Sequence, residues 1–105
     1  MTVYVVQEVQ GRDIIGAMKY GELVALLPPG NQIVLSAQPV VRSLNRSLKN
    51  FSDDDYLLCM GDPTAIGIAT AIAARHNRGR VKFLKWDKRE FTYYPIEVDI
   101  SGTEV

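Results

Sequence analysis

The sequence has one cysteine, Cys59, and one histidine, His76, among 105 residues. One thiol cannot form a disulfide within the chain or a thiolate metal cluster, which suits a reducing compartment. A single histidine without a conspicuous serine or cysteine partner gives no catalytic triad; near the end of a predicted helix, it is expected to complement the helix dipole. Excess charge of either sign is also missing. Twelve basic residues balance twelve acidic ones. General nucleic-acid binders carry a basic surplus, so that class loses weight, while weak self-repulsion favours self-association. No apolar run approaches the roughly 20 residues of a membrane helix, and the first residues lack the basic and apolar regions of a signal peptide. A cytoplasmic protein without membrane contact is expected. Residues 61–64, Gly61 to Thr64, lack the glycine spacing and lysine of a phosphate loop.

What is present reads as an α/β domain spanning 1–105. Hydrophobic residues make up 47% of the chain, enough for one core at this length. Residues 2–9 are β-branched and aromatic and predict a strand. Residues 14–19 predict a second strand, weakened by Gly16, and residues 22–27 a third, giving an antiparallel N-terminal group. Pro28, Pro29 and Gly30 end that group. Residues 33–35 suggest a short strand, and Ser36 an N-cap for a helix in which Pro39 is tolerated in the first turn. Val41, Leu44, Leu48 and Phe51 recur at helical spacing and predict a stripe on the core.

The second half is a strand, a helix and a strand. Residues 56–60 are continuously apolar, as in a central strand covered on both faces; Cys59 there is expected to be buried and inert. Asp62 and Pro63 start a helix, as N-cap and first helical residue. The helix over 64–77 has an apolar face of Ile66, Ala69, Ile72 and Ala73. Gly79 is the expected glycine beyond its end. Residues 80–86 form the next strand, parallel to the first. A turn at 87–90 leads into a strand over 91–100, and Pro95 marks that strand as an edge or bulge. The overall expectation is a mixed sheet with two main helices, a crossover and a final hairpin.

Few constellations carry chemistry. The run Asp53, Asp54 and Asp55 invites a metal, but is explained as a solvated loop; Asp55 and Asp62 flank a strand and lie roughly 20 Å apart at strand rise, too far to share an ion. Asp62 and Asp87 each follow a strand of the crossover, so both fall at the carboxyl edge where open sheets bind ligands. They are the catalytic or Mg²⁺-binding candidates, competing with plain roles as N-cap and turn residue. Arg42, Arg46 and Lys49 on the first helix are candidates for contacts to nucleic-acid phosphates. Trp86, Phe91, Tyr93 and Tyr94 on the last hairpin are candidates for a protein interface or a dimer surface.

Two resemblances accompany these residues. Three strands, a helix, a strand, a helix and a strand over roughly residues 2–86 resemble the ribonuclease H-like topology. Asp62, just after Leu58 to Gly61, looks like one acidic site of that superfamily. The first strand offers Glu8 in place of the family's aspartate, and the first helix has no carboxylate where the family has a glutamate. The resemblance therefore implies the fold with a degenerate acidic site. Residues 61–67 through 84–87 look like segments of small proteins of tailed bacteriophages. That likeness implies a phage accessory protein in a bacterial host's cytoplasm. Such a protein would act without a cofactor, by binding a protein partner and its own copies. A nucleic-acid-binding or Mg²⁺-dependent nuclease-like domain and a minor virion component are the alternatives.

Overall fold

A computed structural model describes residues 1–30 and 37–102. Five strands form one mixed sheet in the order β2-β1-β3-β4-β5. They are β1 (Thr2–Gln7), β2 (Glu22–Leu27), β3 (Tyr56–Leu58), β4 (Arg80–Asp87) and β5 (Thr92–Asp99). The first four run parallel, and β5 is antiparallel to β4. Helices α1 (Gln38–Leu48) and α2 (Pro63–His76) connect β2 to β3 and β3 to β4.

The crossover expected over the second half is present: β3 and β4 are adjacent and parallel, with Leu57 opposite Phe83. The N-terminal group differs. A 3-10 helix, Ile15–Tyr20, stands where a second strand was expected, and β1 pairs with β2 in parallel. The reason is periodicity. Ile14, Ala17 and Tyr20 recur every third residue and all pack in one core cluster, which suits three residues per turn. The segment is thus a crossover, and a crossover returns the chain parallel. Among the described residues two strands precede α1, so the element order behind the ribonuclease H-like resemblance is not confirmed.

Two apolar layers hold the sheet. Under α1 and α2 lie Leu44, Leu48 and Phe51 with Val6, Leu57 and Val81, joined by Ala65, Ala69 and Ala73. Leu44, Leu48 and Leu57 are wholly buried, each stabilising the fold by about 2 kcal/mol in transfer terms. On the opposite face Val3, Val5, Leu58, Leu84 and Tyr93 pack under the 3-10 helix around Ala17. The β1-to-β2 crossover runs one way on this face, and the β2-to-β3 crossover returns the other way on the helical face, so both have one hand.

The ends of the elements follow local chemistry. Asp62 caps α2, its carboxylate accepting from the Ala65 amide at 3.0 Å. At the other end the Gly79 amide donates to the Ala74 carbonyl at 2.7 Å. That bond makes Arg78, at φ 58°, the left-handed residue just beyond the cap, where Gly79 was expected. Residues 33–35 and Ser36, expected as strand and N-cap, lie outside the described residues; Ala37 occupies the cap of α1. The aspartate run is only partly a solvated loop. Asp55 is buried and accepts from the Thr2 and Ser52 amides. Asp53 pairs with Arg80 through two 3.0 Å bonds.

Candidate functional site

The order of strands reverses between β1 and β3, because β1 connects outward to β2 and β2 returns to β3. Open α/β sheets bind ligands outside the carboxyl ends of the strands at such a reversal. Here that position is organised by Gln7, the last residue of β1 and 4% exposed. Its Oε1 accepts from the Asp62 amide at 2.7 Å, and its Nε2 donates to the Pro28 carbonyl at 3.1 Å. One side chain thus ties together the ends of β1, β2 and β3. Gly61 permits this approach. It sits at φ 110°, and a Cβ there would fall 2.4 Å from the Gln7 side chain.

A cleft of about 1290 Å³ opens at this edge, lined by Gln7, Cys59, Gly61, Asp62, Lys85 and Trp86 among others. Cys59 lies one residue beyond β3, exposed on the cleft rather than buried within a strand. Desolvation against its neighbours pushes the thiol pKa up, and a hydrogen bond with Thr70 opposes the shift. The thiolate is therefore disfavoured at neutral pH.

Asp62 lies beyond the carboxyl end of β3 and Asp87 is the last residue of β4, so both stand at the carboxyl edge as expected, and both bond to backbone of their own segments. Asp62 caps α2, while Asp87 Oδ1 accepts from the Arg89 and Glu90 amides at 2.9 and 3.3 Å, closing the turn. Among the described residues, no group of three or more histidine, cysteine, aspartate or glutamate side chains could hold a metal ion. Arg42 and Arg46 are exposed on α1, and Lys49 is exposed at its C-cap.

The hairpin aromatics divide. Trp86 lies opposite Tyr93, and Lys85 opposite Tyr94. Leu84 and Tyr93 belong to the layer under the 3-10 helix, so Trp86 shares that face and Tyr94 points to the helical face. Tyr93 is only 5% exposed and belongs to the core; its carbonyl accepts from the Tyr20 hydroxyl at 2.9 Å. Of the four expected residues, Trp86 and Phe91 are exposed with ring centroids 6.4 Å apart, Tyr94 is exposed on the other face, and Tyr93 is buried. Sequence reasoning missed two residues of the same face. Ile15 and Met18 project from the 3-10 helix and are 69% and 58% exposed. The signal for them was a repeat of three set one residue after the inward Ile14 and Ala17.

No helix of the described residues is long and apolar enough to cross a membrane. No curated protein and no solved structure matches the chain. A family model described as phage Pam3 gp32-like protein matches residues 1–100. With nearly its whole length covered by that match, the chain belongs to the phage Pam3 gp32-like protein family.

Proposed function

We propose that the chain is a small non-enzymatic phage accessory protein that acts by protein–protein contact, self-association included. The contact surface is the sheet face that carries the 3-10 helix. One observation carries this reading: Ile15, Met18, Trp86 and Phe91 are all exposed on this side of the molecule, and Trp86 packs edge-on against both Phe91 and the buried ring of Tyr93. The 3-10 helix reaches that ring through Gly16, where an added Cβ would lie 3.6 Å from it, and Lys19 Nζ donates to Thr92 Oγ1 at 3.1 Å. Large apolar side chains grouped this way mark interaction sites, and tryptophan is favoured among residues that dominate binding energy. Zero net charge adds no long-range repulsion between copies.

Phe91 adds an independent argument. It is 77% exposed and held at φ 52°, a conformation that costs a bulky residue roughly 1–3 kcal/mol. A glycine in this turn would relieve the strain. What phenylalanine adds there is an exposed ring.

Sedimentation equilibrium tests the reading, paired with affinity purification from the phage-infected host. Wild type should form a defined oligomer. Replacing Met18 and Trp86 together by serine should return it to monomer and remove the co-purifying proteins. Phe91→Gly should weaken association while stability holds or rises by about 1 kcal/mol. Unchanged association in all these variants would sink the reading.

A further inference from the structure

Helices α1 and α2 form one layer on the sheet, and neither helix contains an acidic residue; Asp62 caps the start of α2, and Asp53 accepts from Asn77 at its end. Segments 37–52 and 63–79 contain Arg42, Arg46, Lys49, Arg75 and Arg78, and all twelve acidic residues lie elsewhere in the sequence. The fold gathers these cations. Asn45 Oδ1 accepts from the Arg75 guanidinium, and His76 Nε2 lies 3.1 Å from the same oxygen. Asn45 is a helical neighbour of Arg42 and Lys49, at three and four residues' distance. The end of α2 therefore meets the exposed side of α1 among its cations. All five are exposed. Among the described residues the ion pair is Arg80 with Asp53, and none of the five takes part in one.

Helix dipoles account for Arg46 and Arg75, which lie in last turns. They do not account for Arg42, in the second turn of α1, and they account for a cation at Arg78, just past the C-cap of α2, without requiring arginine in its backbone conformation. Arg78 occupies a left-handed position that glycine would fill without strain. What arginine contributes there is a solvent-facing cation beside the others.

We propose that this helical layer binds the phosphate backbone of duplex nucleic acid without reading its sequence. The function is separate from the apolar face on the other side of the sheet. Four of the five cations are arginines, whose planar forks suit phosphate. No large hydrophobic side chain is exposed on either helix. A bilayer-surface helix needs apolar residues to insert, and a protein interface needs apolar or aromatic anchors. Phosphate contact needs neither.

Fluorescence anisotropy with a labelled duplex of arbitrary sequence, about two helical turns long, tests the proposal across a salt series. Binding should weaken steeply with salt. The slope of log K against log salt should be roughly −3 to −4.5, as three to five phosphate contacts require. Replacing Arg42, Arg46 and Lys49 together by alanine should reduce affinity at least tenfold at low salt and flatten the slope by about 2 to 3. Arg78→Gly should weaken binding severalfold while the thermal midpoint holds or rises, whereas a purely structural arginine would lower the midpoint and leave binding intact. Absence of salt-dependent binding by wild type would overturn the proposal. So would retained affinity in the triple variant, or binding to phosphatidylserine vesicles or an acidic polypeptide in preference to the duplex.

Discussion

Gln7 and Gly61 show how much of the carboxyl edge rests on two residues that carry no charge. Gln7 satisfies the Asp62 amide and the Pro28 carbonyl, and Gly61 leaves the space in which it does so. Gly61→Ala should destabilise the fold by about 2–3 kcal/mol, from positive φ and overpacking together. Gln7→Ala should cost about 1–3 kcal/mol by leaving both backbone groups without that partner. The two substitutions act on one contact. Their combined cost in urea denaturation should therefore fall short of the sum, because shortening Gln7 removes part of the clash. Strict additivity would show that the edge is held in another way. The sequence signalled Asp62 through its proline, but Gln7 looked like any polar strand residue, because its partners are 21 and 55 positions away.

Among the elements, those with strong local signals were legible. Asp62 and Pro63 announced α2, the continuous apolar run announced β3, and the stripe of Leu44, Leu48 and Phe51 announced the buried side of α1. The 3-10 helix was not legible as such, because six residues with glycine among them fit a short strand as well as a tight turn of helix. That ambiguity inverted the direction of β2. The aromatic surface was half legible for a related reason: strand alternation splits Tyr93 and Tyr94 between faces, but only the register of β4 with β5 says which face is covered. The loop before β3 was misread as merely solvated, since its partner Arg80 is distant in sequence. There the hydrogen bond from Arg80, then that from Asn77, holds the Asp53 carboxyl below the usual carboxylate range. A depressed folded pKa stabilises the fold above the ordinary value, about pH 4. The contribution is lost as pH falls through the lower folded value. Asp53→Asn should accordingly flatten the acid limb of a stability-against-pH curve and leave the alkaline limb unchanged. An acid limb identical to wild type would mean that solvent screening cancels the pair.

In the molecule as a whole, the sheet separates two surfaces of opposite character. The 3-10 helix and the β4–β5 hairpin expose Ile15, Met18, Trp86 and Phe91 on one side, and α1 and α2 expose arginines on the other. Copies joined through the apolar faces would turn their helical layers outward, away from each other. A single short duplex could not then span both layers, so self-association should add little avidity for it. It should instead allow one oligomer to hold two duplexes. Energy transfer between donor- and acceptor-labelled duplexes should appear with wild type at concentrations where it self-associates. The variant with Met18 and Trp86 replaced by serine should bind each duplex with unchanged affinity and give no transfer. Transfer by the monomeric variant, or a loss of its duplex affinity, would mean that the two surfaces are not independent and that the sheet does not divide them as the fold indicates.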